Sequence, residues 1–269
     1  AEALAAQAAA SGLVFAVTYN NTGCAMVREA RALVADGALG RLRIVRAEYI
    51  QDWLTKPIDA DGQKQAEWRT DPARAGRSAC LADIGVHAFN LAHFVTGEAP
   101  DRVAADLATF VPGRRLDDNA HVLMRYASGA RGVLIASQVS PGNLNRLALK
   151  VYGEKAGLEW FAHLPETLQF TPFGEPLRVL TRGGPGVGAA AAEVSRMPAE
   201  HPEGYVEGFA NLYRDAGELI LARREGRPAD PKVAARAPSV RDGLTGMRFI
   251  EAALASHAAD GAWTGLKAG

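Results

Sequence analysis

Three observations predict an α+β fold: one large, mostly antiparallel but mixed sheet with helices on one face. Strand-like runs at 103–110, 121–126, 133–139, 147–152 and 158–161 follow one another with only short, Gly-rich turns between them. Strands in series without intervening helices imply a meander rather than βαβ units. Two long helical patterns, 203–224 and 239–257, then close the chain. The first places Val206, Phe209, Leu212, Tyr213, Ala216, Leu219 and Ile220 on one stripe, which predicts the face that packs against the sheet. The third observation is that this pattern sets in from Arg102 onward, after a mixed series of helical and strand-like segments.

The individual elements follow in order. Residues 2–10 are dense in alanine and leucine, and Gly12 is placed to end a helix. Leu13-Val14-Phe15-Ala16-Val17 then reads as a buried strand. Val27, Ala30, Leu33 and Val34 recur at three- and four-residue spacing, giving an amphipathic helix closed by Asp36-Gly37. Gly40 opens a strand running to Tyr49-Ile50.

Charge and cysteine content exclude several classes of function. Lys plus Arg equals Asp plus Glu, at 30 each, so no basic surface points to nucleic acid. Cys24 and Cys80 are far apart, which suits free thiols in a reducing, cytoplasmic setting. The apolar run at 13–17 is too short to span a bilayer, so no membrane is expected. Asn20-Asn21-Thr22 has the form of a glycosylation acceptor and is read as incidental. The chain opens at Ala1 inside a helical pattern, which suggests that a longer protein precedes it.

The sharpest chemical feature is Asp83-Ile84-Gly85-Val86-His87-Ala88-Phe89-Asn90. A helix starting near Asp83 puts Asp83, His87, Asn90 and Phe94 on one face, with Asp83 as N-cap. A histidine four residues after a carboxylate suits a general base, because its ordinary pKa lies near neutrality. The same spacing also describes a capped helix with a core histidine, or a metal pair lacking a third ligand. Trp68-Arg69 and His201 lie in expected loops or element ends, where a Trp beside an Arg suits a sugar. Gly184-Pro185-Gly186-Val187-Gly188-Ala189 matches GxGxxA but is followed by Pro198 and Pro202 rather than by a helix and parallel strand. It reads as a flexible loop that covers the active site, not as a cofactor cradle.

The ordered series of segments resembles the glucose-fructose oxidoreductase, inositol dehydrogenase and rhizopine-catabolism family, Gfo/Idh/MocA, over essentially the whole chain. Residues 12–17, 27–30 and 37–42, Asp71-Pro72 with Gly76, Asp83 to His87, 152–157, Asp242-Gly243 and 250–252 carry the likeness. The resemblance implies that residues 1–20 are the last helix and strand of a Rossmann domain. Residues 21–269 would form the substrate-binding and catalytic domain, with the C-terminal helices packing back toward the Rossmann side. It implies hydride transfer between a secondary alcohol of a cyclic sugar, inositol or polyol and NAD or NADP. Asp83 and His87 fall on the family's catalytic pair, with His87 as acid/base and no metal. Trp68, Arg69, Asn90 and His201 would line the sugar pocket, Tyr19 and Asn20 would lie near the nicotinamide, and the open sheet face would pair identical subunits.

This sequence departs from the family in three ways. No G-x-G-x-x-G cradle or Glu-Lys-Pro motif is present, Asn90 replaces a frequent Asp, and Asn21-Thr22-Gly23-Cys24-Ala25 lacks the usual Arg and Pro. The first departure implies that these residues alone transfer no hydride. The alternative reading is a non-catalytic carbohydrate-binding or dimerisation module descended from the family.

Overall fold

The computed structural model describes residues 1–266. Helix α1 (Glu2–Ser11) leads through an extended stretch to a 3₁₀ turn (Asn20–Gly23), helix α2 (Ala25–Ala35) and strand β1 (Leu42–Ile50). Short helices α3 (Lys64–Thr70) and α4 (Pro72–Ala75) precede a π-helical turn (Leu81–Gly85) that runs directly into α5 (Val86–Thr96). The strands β2 (Arg102–Ala108), β3 (Asn119–Arg125), β4 (Arg131–Ser137), β5 (Arg146–Gly153), β6 (Ala156–Phe161), β7 (Thr167–Pro172) and β8 (Arg178–Thr181) follow. A single turn, α6 (Ala189–Ala192), helices α7 (Tyr205–Arg224), α8 (Pro231–Arg236) and α9 (Val240–Ala258), and a short β9 (Thr264–Gly265) complete the described chain.

All nine strands join one sheet in the order β8-β7-β6-β5-β1-β4-β3-β2-β9. Only β1 and β4 run parallel, because β1 arrives from α2 and is inserted between β5 and β4. The sheet is therefore mixed but mostly antiparallel, as the serial strands predict. From Ile44 to Ala47 along β1, Val45 and Ala47 are buried while Ile44 and Arg46 are exposed. This period-two alternation sends the apolar set toward one helical layer. Helices α2, α5 and α9 form that layer, and Phe89 of α5 stacks on Phe249 of α9 with ring centroids 4.3 Å apart.

Two sequence expectations fail here for physical reasons. Residues 13–17 form no strand: a single bridge joins Ala16 to Ser239, and Leu13 is 74% exposed. A run of apolar residues becomes a strand only beside a partner that takes its N–H and C=O groups along its length, and the described residues supply that only around Ala16 and Val17, whose N–H donates to the Pro238 carbonyl. In α7 the apolar stripe does not pack on the sheet, since Val206, Tyr213 and Ile220 are exposed. The buried side is Gly208, Asn211, Leu212 and Asp215, because this helix lies on the 3₁₀ turn and α8 instead. Asn211 Nδ2 donates to the Gly23 and Val194 carbonyls, and Asp215 receives Arg28 at 2.7 Å and Arg236 at 3.0 Å. The contact is close enough that a Cβ on Gly23 would stand 2.0 Å from the Gly208 carbonyl oxygen.

Candidate active site

The helical run bearing the Asp83–His87 motif starts earlier than its spacing suggests. Asp83 N–H already donates to the Ala79 carbonyl at 2.8 Å, so its carboxylate is not an N-cap. Asp117 takes that role from outside, accepting the N–H groups of Ala79 and Leu81 at 2.8 Å each. Burial pushes the Asp117 carboxyl up, against the lowering effect of those two bonds. A cap 36 and 38 residues away leaves no local signal, which is why the sequence misplaces the helix start. The extra residue of the π turn sits against β4: a Cβ on Gly85 would lie 2.7 Å from Leu81 Cδ1 and 3.2 Å from Ala136 Cβ. Glycine there lets the helix press directly on the sheet.

Freed from capping, Asp83 is held at both oxygens. Arg69 Nε donates to Oδ1 at 3.0 Å and Gln138 Nε2 donates to Oδ2 at 2.8 Å. Arg69 lies over the Trp68 ring at 4.4 Å and also bonds Gln65, so its guanidinium is committed to protein groups. His87, half-buried, stands between two tyrosines edge-on, with ring centroids 5.5 Å from Tyr19 and 6.4 Å from Tyr49. Burial holds the imidazole below its ordinary pKa of 6.5, and the Asp83 charge opposes that effect without overcoming it. A neutral imidazole near pH 7 is a proton acceptor.

His87 forms part of the wall of a cleft of about 460 Å³. Asn20, Tyr49, Asn145, Trp160 and Tyr205 also line it. Tyr19 is buried behind His87, and its hydroxyl is pushed up to about 12, chiefly by burial and then by Asp242. A Cβ on Gly246 of α9 would come within 2.8 Å of the Tyr19 hydroxyl, so this glycine makes room for the ring. Cys24 also reaches the cleft, where burial raises its thiol to about 12 and keeps it protonated.

Of the candidates, Asn20 and His87 line the cleft; Tyr19 packs on His87, and Asp83 is paired with Arg69, while the others stand further from it. Trp68 lies flat on Arg69 and is not among the lining residues. Asn90 is buried, also outside the lining, and its Oδ1 has no partner among the described residues. His201 is exposed, and its carbonyl is bound at 2.5 Å by the buried Arg182. Arg182 also holds Glu166 and the Met197 and Pro198 carbonyls, folding residues 182–204 down. The glycine-rich loop is accordingly no cover for the cleft. Its Gly188 N–H donates at 2.9 Å to Glu29, and the short α6 that follows packs on α2.

Tyr49, Asn145, Trp160 and Tyr205 were not singled out by sequence reasoning. Two carried a readable signal, because Tyr49 shares parity with Val45 and Ala47, and Trp160 shares it with Ala156 and Leu158. Strand parity thus places both on the helical side of the sheet, near its end. Asn145 and Tyr205 belong to a loop and a helix start, whose position only the tertiary fold sets.

The glycine-rich turn at 184–189 is no phosphate cradle, because its Gly188 N–H already donates to the Glu29 carboxylate, which repels an anion. Among the described residues, no cluster of three His, Cys, Asp or Glu is arranged to hold a metal.

Comparison with known proteins decides the family. The model of the GFO/IDH/MocA C-terminal domain matches residues 27–159. The fold superposes with a TM-score of 0.93, at 33% identity, on an inositol dehydrogenase homolog from Azotobacter vinelandii complexed with NAD+, covering 98% of this chain and 68% of that one. The chain belongs to the GFO/IDH/MocA family. Within that family it is 30% identical over 260 residues to an uncharacterized oxidoreductase of Bacillus subtilis, covering 95% of this chain and 65% of that relative. A levoglucosan dehydrogenase complexed with NADH and levoglucosan matches at TM-score 0.78 and 25% identity, over 95% of this chain and 66% of that one. The chain thus spans about two thirds of the length of the GFO/IDH/MocA relatives it matches.

Proposed function

We propose that this chain is the substrate-binding and catalytic part of an NAD(P)-dependent dehydrogenase acting on a secondary alcohol of a cyclic sugar, inositol or related polyol. The observation that carries this reading is His87: an imidazole kept neutral by burial at the wall of a cleft, beside a carboxylate fixed at both oxygens. His87 accepts the hydroxyl proton, and Asp83 stabilises the imidazolium that forms. A bound nicotinamide would supply the acceptor for the hydride that leaves the same carbon. The relatives complexed with NAD+ or NADH, and with levoglucosan, support this class of chemistry.

In this reading residues 1–20 belong to the dinucleotide-binding part and 21–269 to the substrate part. The 269 residues alone give no turnover, because no phosphate cradle occurs among those described. Arg69 acts as a positioning residue on Asp83 rather than touching sugar, and Tyr49 and Asn145 take the substrate-binding places first given to Asn90 and His201. No helix among the described residues is long and apolar enough to cross a membrane. Two buried, unpaired thiols favour a reducing, cytoplasmic compartment.

The test is turnover of inositols and hexoses with NAD or NADP by the protein at its full encoded length. His87→Asn should lower kcat by about 10²- to 10⁴-fold. An unchanged rate would remove His87 from the mechanism. The alternative, a carbohydrate-binding or dimerisation module, draws on the open sheet face, where Ile44 and Leu123 are exposed. Sugar binding with no nicotinamide-dependent turnover at full length favours that alternative, while the leading reading also places subunit pairing on this face.

A further inference from the structure

The loop joining β2 to β3 holds both partners of one hydrogen bond in the candidate site. Asp117 accepts the Ala79 and Leu81 N–H groups on its carboxylate and the Cys80 N–H on its carbonyl, so it carries the start of the helical run that bears Asp83. The next residue, Asp118, accepts the Gln138 N–H on its carbonyl at 2.9 Å. Gln138 in turn donates from its side chain to Asp83 Oδ2 at 2.8 Å. Two adjacent residues thus set the spacing between the carboxylate and the amide that aims it.

A closed ring of bonds keeps this loop in place. Arg114 Nη1 donates to Asp118 Oδ2 at 3.0 Å and to the Leu54 carbonyl at 3.1 Å. The Leu54 N–H donates to the Gln138 carbonyl at 3.0 Å, which leads back to Asp118 through the Gln138 N–H. Arg114 Nη2 reaches Asp59 at 2.9 Å, and the Asp118 carboxylate also accepts the Phe110 and Val111 N–H groups. The Arg114 and Asp118 side chains are fully buried, where an ion pair completed by further hydrogen bonds is held to one geometry. Arg114, Asp118, Gln138 and Leu54 all stand outside the cleft lining. The other donor to Asp83, Arg69, is by contrast partly exposed on the short helix α3.

We propose that Arg114 is a positioning residue for Asp83: by closing this ring it fixes Gln138, and Gln138 keeps the carboxylate turned so that its charge acts on His87. The inference rests on the dehydrogenase reading in taking Asp83 and His87 as a working pair. With the Gln138 bond lost, both Asp83 oxygens can turn to Arg69, the bidentate arrangement that a guanidinium favours. The field of the carboxylate at the imidazole then weakens.

NMR titration of the His87 imidazole, in the protein at its full encoded length, tests this in two backgrounds. Tyr19 and Tyr49 face the ring edge-on and are pushed toward their neutral forms by burial, and Asp242 acts on Tyr19. The charge that raises the imidazole pKa is therefore that of Asp83. Arg114→Lys keeps a cation beside Asp118 but gives up the guanidinium fork. This variant and Gln138→Leu should each lower the His87 pKa by roughly half a pH unit, a fraction of the ~1–3 that a neighbouring charge supplies. In an Asp83→Asn background neither should move it. Where the protein turns over a polyol, kcat should fall severalfold in both variants at unchanged KM. A shift of the same size in both backgrounds, or in neither, overturns the proposal, because a merely structural role does not depend on the Asp83 charge. A shift in Gln138→Leu with none in a folded Arg114→Lys overturns it as well. Should Arg114→Lys not fold, the two Gln138→Leu titrations decide. Shifts that appear as expected in a protein without any turnover would sink the dehydrogenase reading and leave the positioning role standing.

Discussion

The two long C-terminal helices, α7 and α9, are alike in length and in apolar content, yet they are buried on opposite principles. α9 lies along the sheet and buries Phe249, Ile250, Ala252 and Ala253. Its start is closed by a capping box, with Ser239 Oγ accepting Arg241 N–H and Asp242 accepting Ser239 N–H. α7 buries Gly208, Asn211 and Asp215 along with Leu212 and Ala222, and leaves much of its apolar stripe in solvent. A helix with a sheet beneath it is held by area, whereas α7 is held by a buried ion network and a near-contact of backbones. The second kind of attachment fixes position more narrowly, and α7 is the helix that brings Tyr205 and Phe209 to the cleft.

The largest expected effects sharpen this contrast directly. Asp215→Ala leaves Arg28 and Arg236 without their shared carboxylate and should destabilise the protein by about 3–5 kcal/mol in chemical denaturation. Val206→Ala, on the apolar stripe of the same helix, should change stability by less than about 0.5 kcal/mol. Similar losses at both positions would mean that α7 packs through its stripe after all. In α9 the order reverses: Phe249→Ala removes a stacked core ring and should lose about 3–5 kcal/mol.

Smaller effects are expected where glycines set the spacing. Gly208→Ala places a Cβ 2.8 Å from the Asn20 carbonyl oxygen, and this overpacking should take about 1–3 kcal/mol. The same substitution should weaken sugar binding, because Asn20 and α7 form opposite parts of one wall. Gly246→Ala pushes instead on the Tyr19 hydroxyl and should shift the His87 imidazole resonances in NMR spectra. Unmoved His87 signals would show that α9 does not set the ring's position.

The smallest effect concerns the protonation of His87. Its folded pKa lies below the unfolded 6.5, so the unfolded chain binds more protons and stability falls as pH drops from about 6.5 through the folded value. His87→Gln should flatten the dependence of Tm on pH in that window. Asp83→Asn removes the charge that raises the imidazole pKa and should lower it further. Arg69→Met removes the cation paired with Asp83 and should raise it. An NMR titration in which Arg69→Met left the His87 pKa in place would end the positioning role of Arg69.

The sequence was most readable where one local rule sufficed. β-Branched and aromatic content located β1, strand-like runs between Gly-rich turns located β2 to β6, and a long helical pattern located α9. The Asp83–His87 pair stood out through its spacing and through family likeness. It was least readable where the deciding partner lay far along the chain: Asp117 capping Ala79, Gln138 and Arg69 fixing Asp83, and Arg182 tying down His201. Residues 13–17 show the same limit, since their apolar content matches that of Leu147 to Tyr152 but no neighbouring strand receives their backbone.

By itself the sequence determined the class of fold, the strand series and the two long C-terminal helices, because propensity and periodicity act within a few residues. Tertiary structure alone decided which face of α7 is buried, where the helix bearing Asp83 begins, and which groups hold Asp83 at both oxygens. Those outcomes depend on hydrogen bonds, ion pairs and close approaches between residues tens to hundreds of positions apart, and no local pattern encodes such partners.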